Sequence, residues 1–168
     1  HKNLPRLLHA FARLKTENMR LILSGNPDNR LTQQIQKLGP ADKTIFAGTI
    51  PDEKLPAYYR GALAVVIPSL YEGFGLPALE SRACGIPVVA SQVASLPEVT
   101  GNVGVFVNPY DVDSIAGGIQ KVIECKELRQ DLRMKGLDRS RLFTWERTAG
   151  LTCKILKEAS DFALTLSH

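Results

Sequence analysis

Two glutamates flank a glycine-framed turn in the stretch SLYEGFGLPALES, residues 69–81. Glu72 comes before the glycines Gly73 and Gly75, and Glu80 follows them. Glycine lets the backbone adopt unusual dihedral angles and lets a ligand approach it closely. A carboxylate on each side of such a turn can accept hydrogen bonds, Glu80 from a diol and Glu72 from another hydroxylated group. The turn is therefore the first candidate for a binding site.

The same turn is predicted to join a strand to a helix. The strand ends near Ser69, and the helix begins near Leu76 or Pro77. The first amides of a helix have no partner within it, and they lie at the positive end of the helix dipole. We therefore expect the amides of Phe74, Gly75 and Leu76 to face outward, where they suit an anion.

A plainer interpretation of the two glutamates stays open at this stage. Glu80, predicted in the first turn of the helix, would complement the helix dipole, and Glu72 would be a solvated loop residue. In an open parallel sheet, however, ligands bind at the carboxyl ends of the strands, which is where this turn is predicted to lie. The two glutamates and the two glycines together favour a site.

A cation stands at the start of the first predicted helix. Lys2 precedes the helix that begins near Asn3, where the dipole disfavours positive charge. With Asn3 as N-cap and Arg6 one turn further on, this helix end predicts an electropositive pocket suited to phosphate. The alternative is that Lys2 is a frayed terminal residue, and spacing alone does not separate the two.

The elements that must position these residues alternate between strand-like and helix-like patterns. Five short apolar runs are predicted as strands, at 19–25, 43–48, 63–69, 86–91 and 103–108. Helical patterns lie at 3–14, 30–38, 51–62, 76–85 and 112–126 and continue to the C-terminus, and residues 95–99 are predicted as a turn. This alternation indicates an α/β fold, a Rossmann-like doubly wound parallel sheet with helices on both faces. Because the chain opens on a helix, a first strand is expected before His1.

Other residues are interpreted as structural. The pair Gly117 and Gly118 is expected to weaken its helix by about 1 kcal/mol per glycine. Core or hinge packing is predicted for the aromatic residues Tyr58, Tyr59 and Trp145, and a solvated helix face for Arg139, Arg141 and Arg147. Two cysteines, Cys84 and Cys125, are interpreted as small apolar residues on helices.

Composition and missing motifs exclude several classes of function. The net charge is +4, and the basic residues are scattered, so nucleic-acid binding is not indicated. No apolar run approaches the ~18 residues of a membrane span, although peripheral attachment needs none. The absence of G-x-G-x-x-G after a strand and of G-x-x-x-x-G-K-[ST] argues against an NAD enzyme and a P-loop NTPase. The three cysteines and three histidines are isolated, so reduced thiols and no metal site are predicted.

The stretch PSLYEGFGLPALESRACGIPVVAS resembles the signature of retaining glycosyltransferases of family four, also called glycosyl transferases group 1. Its hallmark is Glu, seven residues, Glu, which Glu72 and Glu80 match. The segments KNLPRLLHAFARL, IFAGTIPDEKLPAYYRGA and VNPYDVDSIAGGI fit the same family in order, so the resemblance covers nearly the whole chain. It implies that residues 1–168 are the C-terminal, donor-binding half of a GT-B fold. Residues 144–168 would form a C-terminal helical segment, and the acceptor-binding N-terminal domain would be absent.

The resemblance also implies roles for the residues of the turn. Glu80 matches the second glutamate, which binds the ribose hydroxyls of the nucleotide. Glu72 matches the first glutamate, which contacts and orients the transferred sugar, and the amides of Phe74 and Gly75 belong to the same contact.

Further residues would hold the rest of the nucleotide. Lys2 matches the lysine that neutralises the diphosphate and stabilises the leaving group, and the amide of Leu76 would contact the same diphosphate. Thr49 and Ile50 would contact the base along the backbone. Members commonly carry an arginine beside the lysine; here its position is missing or is taken by His1.

The implied function is transfer of a hexose, mannose or glucose, from a nucleoside-diphosphate sugar to a saccharide or lipid-linked acceptor. No cofactor and no metal ion are expected, because the lysine and the helix amides can stabilise the leaving diphosphate. The partners implied are the nucleotide-sugar donor and, through the missing N-terminal domain, the acceptor glycan. The enzyme would be cytoplasmic, with peripheral membrane association as an option, and this chain alone is expected to be nearly inactive. The alternatives are a GT-B nucleotide-sugar epimerase and a non-catalytic nucleotide-sugar binding module.

Overall fold

The computed structural model describes residues 1–15, 18–39 and 41–166. Within these ranges it has five strands: β1 Leu21–Leu23, β2 Thr44–Phe46, β3 Val65–Ile67, β4 Val88–Ser91 and β5 Val105–Val107. The same ranges contain the α-helices α1 Leu4–Ala12, α2 Asn29–Leu38, α3 Leu55–Gly61, α4 Leu76–Ala83, α5 Leu96–Thr100, α6 Val112–Glu124, α7 Lys126–Ser140 and α8 Trp145–Leu166. All five predicted strands are present, each shorter than the apolar run that predicts it.

Every paired strand is parallel to its neighbour. β1 pairs with β2, with Leu21 opposite Thr44, and β4 pairs with β3 on one side and β5 on the other. In the described part of the chain the strands form two ladders, β1–β2 and β3–β4–β5, and not the single continuous sheet that the pattern predicted. The predicted α/β fold of parallel strands with helices on both faces is confirmed.

The first three residues of the buried strand β4, Val88, Val89 and Ala90, are apolar because both faces of the strand are covered. Successive side chains of a strand point to opposite faces of the sheet. Val89 packs in a cluster with Leu7 of α1 and Ile115 of α6, whereas Val88 lies in a second cluster with Leu96 of α5. Because helices cover both faces, a strand with alternating polar residues would place charges in one of the two clusters.

The glycine pair in α6 has a packing role that the sequence did not reveal. A Cβ at Gly118 would lie 2.4 Å from Cγ1 of Val107 and 3.2 Å from Cγ1 of Val89. The helix therefore approaches the sheet more closely than any side chain at this position would allow. Gly117 faces open space, so its helix-propensity cost is not offset by packing, whereas that of Gly118 is.

Two local predictions are wrong. Residues 95–99, predicted as a turn, form most of the short helix α5, because Pro97 fits the first turn of a helix and the backbone N–H of Val99 donates to Ser95. Neither of the two cysteines predicted on helices lies within one. Cys84 directly follows α4, and Cys125 lies between α6 and α7, where its sulfur accepts a hydrogen bond from the amide of Leu128 at 3.4 Å.

Candidate functional site

Three segments that are distant in sequence meet where the strands end. They are the residues before α1, the loop between β3 and α4, and the residues before α5. The amide of Leu70 donates to the carbonyl oxygen of His1 at 2.8 Å, and the hydroxyl of Ser95 donates to the backbone oxygen of Glu72 at 2.9 Å. The β3–α4 loop is therefore held from both sides by the other two segments.

Asn3 fixes the first of these segments, in a way that differs from the prediction. Its side chain makes no cap hydrogen bond, and its φ of 59° lies in the left-handed region, which asparagine tolerates better than most residues. The buried amide donates instead to the carbonyl oxygens of Pro68 at 2.9 Å and Pro109 at 2.7 Å. Asn3 therefore occupies the predicted N-cap position, but its side chain does not cap the helix: it ties the start of α1 to the ends of β3 and β5, because a buried amide needs partners.

Lys2 and Glu72 form an ion pair at the centre of the site. Nζ of Lys2 lies 2.8 Å from Oε1 of Glu72, and the hydroxyl of Ser69 donates to the same oxygen at 2.7 Å. The side chain of Glu72 is 11% exposed, and that of Lys2 is 52% exposed. Glu72 is therefore not a solvated loop residue, and Lys2 is not a frayed end. The ammonium group keeps access to solvent, so a ligand can reach it.

The ion pair keeps Glu72 charged. Burial raises the pKa of the Glu72 carboxyl group, but hydrogen bonds from Lys2 and Ser69, together with the positive charge of Lys2, outweigh that effect. The net result is a pKa below the ordinary value of the group. Glu72 is therefore an ionised acceptor at neutral pH, held in one orientation by two donors.

The loop between Glu72 and α4 requires a glycine. Gly75 has a φ of 94°, and a Cβ built on it would lie 2.7 Å from Cδ2 of Leu96 in α5. In the described part of the chain, the backbone amides of Phe74, Gly75 and Leu76 donate no hydrogen bond to another residue. Three free amides thus stand at the N-terminus of α4, beside the Lys2–Glu72 pair, as an anion site requires.

Glu80 lies in the second turn of α4, not in the first as predicted. The helix dipole acts within the first turn, so complementing it does not explain this carboxylate. The phenol of Tyr59 in α3 donates a hydrogen bond to Oε2 of Glu80 at 2.7 Å. Burial, this hydrogen bond and the charge of Glu80 raise the pKa of Tyr59 above its ordinary value, so the phenol stays protonated.

Sequence reasoning missed the partnership of Tyr59 and Glu80. The two residues are 21 positions apart on different helices, so no spacing rule joins them. Of the other aromatic residues predicted for core or hinge packing, Tyr58, which is 42% exposed, and Trp145, which is 79% exposed, do not lie in the core. The only feature of the sequence that could have pointed to a role for Tyr59 is its position on α3, the helix that precedes β3.

Arg139 was interpreted as part of a solvated helix face, and that is wrong. Its guanidinium group donates to the backbone oxygens of Glu98 and Val99, in the last turn of α5. It also lies 5.6 Å from the ring centroid of Phe143, whose ring meets Phe74 edge-on at 6.0 Å. Through these contacts α7 and the residues after it hold the exposed ring of the site loop. The other two arginines of that predicted face, Arg141 and Arg147, are exposed.

The structure does not join every predicted residue to this cluster. Thr49 is exposed and Ile50 half-buried, just after the end of β2. Within the described residues, no hydrogen bond links either of them to the Glu72 loop. Their contact with a base stays a prediction.

Two features are absent from the described residues. No group of three or more His, Cys, Asp or Glu side chains is arranged to hold a metal ion. Over the same residues, no helix combines the length and apolar character that a membrane span requires. His168, one of the three isolated histidines, lies outside the described residues.

The parallel strands, the helices on both faces and the charged turn at the strand ends define a Rossmann-like domain of the kind found in GT-B glycosyltransferases. Residues 1–139 match the family described as Glycosyl transferases group 1, and the chain belongs to that family. The resemblance to glycosyl transferases group 1 seen in the sequence is thereby confirmed.

Curated relatives and a solved structure agree with this family. The chain is 40% identical over 162 residues to O-antigen chain mannosyltransferase B of Escherichia coli, covering 93% of this chain and 42% of that protein. It is 36% identical over 166 residues to the MMP alpha-(1->4)-mannosyltransferase of Mycolicibacterium hassiacum, covering 94% of this chain and 40% of the relative. A sucrose-phosphate synthase from Thermosynechococcus elongatus matches with a TM-score of 0.83 at 30% identity, over 95% of this chain and 43% of that one. The chain thus spans less than half the length of these proteins.

Proposed function

We propose that this chain is the donor-binding domain of a retaining glycosyltransferase that uses a nucleoside-diphosphate sugar. The observation that carries the proposal is the arrangement around α4: the Lys2–Glu72 ion pair beside three free helix amides, with Glu80 one turn further along the helix. A cation and free amides suit a diphosphate, and two carboxylates in separate environments suit two sets of hydroxyl groups.

The diphosphate would lie at the N-terminus of α4. Lys2 would supply an ammonium group there, and the amide of Leu76 would supply a second donor. The base would follow the backbone at Thr49 and Ile50. Cleavage of the bond from the anomeric carbon to the diphosphate leaves negative charge on the leaving group. Donors already aimed at that charge stabilise the transition state, which is the effect of an oxyanion hole.

The two carboxylates would divide the hydroxyl groups between them. Glu72, with the amides of Phe74 and Gly75, would orient the transferred hexose, and Glu80 would accept hydrogen bonds from the ribose diol. Glu72 is not assigned as a nucleophile: its carboxylate, held at Oε1 by Lys2 and Ser69, is assigned to orient the sugar. Retention of anomeric configuration would then follow from front-face attack within an ion pair. No metal ion enters this scheme.

The finer assignments rest on the relatives. Two of them are named as mannosyltransferases, which favours a mannosyl donor over a glucosyl one. The acceptor would be a saccharide or a lipid-linked glycan, bound by an N-terminal domain that this chain does not include. The enzyme would act in the cytosol or at the cytosolic face of a membrane, and this chain alone would turn over little or no donor.

Replacing Glu80 with alanine tests the nucleotide assignment. We expect wild-type chain to bind one of GDP, UDP and ADP more tightly than NAD in calorimetric titration. Loss of the carboxylate removes charge-assisted hydrogen bonds to the ribose, so affinity should fall about tenfold. Glu146→Ala, which removes an exposed carboxylate on α8, serves as the matched control and should bind as wild type does. Equal affinity of Glu80→Ala and wild type for the preferred nucleotide would contradict the role of Glu80.

A further inference from the structure

We propose that Tyr59 is a positioning residue that holds Glu80 in the orientation needed to recognise a ribose, an inference that rests on the proposed function. The contact behind it is the 2.7 Å hydrogen bond from the phenol of Tyr59 to Oε2 of Glu80. No other hydrogen bond reaches the carboxylate of Glu80 from the described residues.

The hydrogen bond uses one carboxylate oxygen and leaves the other for a ligand. Oε2 accepts a hydrogen bond from the phenol, while Oε1 accepts no hydrogen bond from the described residues. A glutamate side chain has several rotatable bonds, and ordering it at the moment of binding costs entropy. A fixed donor on one oxygen sets the plane of the carboxylate before the ligand arrives, so less of that cost falls on binding.

The fold also holds Tyr59 in place. Tyr59 is half-buried and belongs to α3, which packs against α4. Its phenol stays protonated and therefore acts as a donor throughout the neutral range. Its neighbour Tyr58 is 42% exposed and forms no hydrogen bond to Glu80, although it shares the same helix and the same chemistry. The chain thus supplies a matched control one residue away.

A competing interpretation makes the opposite prediction. If the Tyr59 hydroxyl occupied the position that a ribose hydroxyl takes on binding, its removal would free Glu80 and raise nucleotide affinity. If it positions Glu80, its removal lowers affinity and relaxes the preference for ribose. Both side chains of the pair keep contact with solvent, so Tyr59→Phe leaves no buried unpaired group, and we expect the variant to fold.

The test compares ribonucleotides with their deoxy counterparts. GDP, UDP and ADP, each beside its 2′-deoxy form, are titrated calorimetrically into wild type, Tyr59→Phe, Tyr58→Phe, Glu80→Ala and the double variant Tyr59→Phe/Glu80→Ala. We expect wild type and Tyr58→Phe to prefer the ribonucleotide by about tenfold, and Tyr59→Phe to lose most of that preference. In the Glu80→Ala background, Tyr59→Phe should change nothing further, because it acts through that carboxylate.

Some results would overturn only the positioning role of Tyr59, and others would overturn the proposed function as well. A full ribose preference retained in Tyr59→Phe, or tighter binding by that variant, overturns the positioning role alone. An effect of Tyr59→Phe that persists undiminished in the Glu80→Ala background also overturns it, since a merely structural role behaves that way. A wild-type chain that binds none of the nucleotides, or that shows no ribose preference with Glu80→Ala equal to it, overturns the proposed function and this inference with it.

Discussion

Replacing Lys2 with methionine will lower the affinity of the chain for its preferred nucleoside diphosphate by roughly one to two orders of magnitude, about 1.4–2.8 kcal/mol. Lys2 pairs with Glu72 in the loop that leads to the three free amides at the N-terminus of α4, and its side chain is 52% exposed. Methionine keeps most of the length of the side chain and removes the charge. Part of the expected loss is the missing attraction for the diphosphate.

The rest of the loss comes from Glu72. In wild type its carboxylate is neutralised by Lys2 at 2.8 Å. Without Lys2, a largely buried negative charge remains beside the position proposed for an anionic ligand, with Ser69 as its remaining donor. Like charges at short range repel in this partly desolvated site more strongly than in water. The double variant Lys2→Met/Glu72→Gln should therefore bind the diphosphate better than Lys2→Met does.

Calorimetry with a nucleoside and with its diphosphate separates these effects from loss of fold. The free nucleoside should bind Lys2→Met as it binds wild type, because the lysine is assigned to the phosphates. Arg13→Met is the matched control: Arg13 lies at the far end of α1, where it pairs with the exposed Asp113. If Lys2→Met and Arg13→Met weakened diphosphate binding equally, Lys2 would contribute only general charge, and its assignment would be wrong.

The second large effect is on stability: Arg82→Ala should lower the free energy of unfolding by about 3 kcal/mol. Arg82 is 1% exposed, and within the described part of the chain its hydrogen bonds go to backbone oxygens and not to a carboxylate. Its guanidinium group donates to the backbone oxygens of Val99 at 2.7 Å, Thr100 at 2.8 Å and Ala78 at 3.1 Å. Burial, with the charge of Arg139 nearby, lowers its pKa to about 10, so it is still ionised at neutral pH.

Two losses combine in Arg82→Ala. The stem of the side chain packs on Gly136 of α7, where a Cβ would lie 3.3 Å from Cγ of Arg82, so truncation leaves a cavity. The carbonyl groups at the end of α5 also lose charge-assisted donors in a place that water does not reach. Because α5 carries Leu96 against Gly75, the damage should extend to the site loop.

Urea unfolding followed by circular dichroism measures this effect. Arg82→Met keeps the stem and should cost about half as much as Arg82→Ala, since the cavity is then largely filled. Arg141→Ala removes an exposed arginine whose pair with Asp138 is also exposed, and it should change stability by less than about 0.5 kcal/mol. A midpoint for Arg82→Ala within error of wild type would show that the buried guanidinium group contributes nothing net.

Several elements of the fold were predictable because their cause is local. A strand that is covered on both faces must be apolar at successive positions. In β4, Val88, Val89 and Ala90 meet this condition, and all three are fully buried. The strand-to-helix turn was also predictable, since Gly75 needs a positive φ there. The lengths of the strands were not, because pairing ends where the neighbouring chain turns away, and that depends on the neighbour.

The sequence by itself determined the class of fold, the family and the position of the turn with its two glutamates. Only the tertiary structure decided what each carboxylate touches. Glu72 meets Lys2 across 70 residues and Glu80 meets Tyr59 across 21, while Asn3 ties strand ends that a helix cap would have left free. The physical reason is that backbone patterns act over a few neighbouring residues. The partner of a charged side chain is set by which segments the packed sheet brings together at its carboxyl edge.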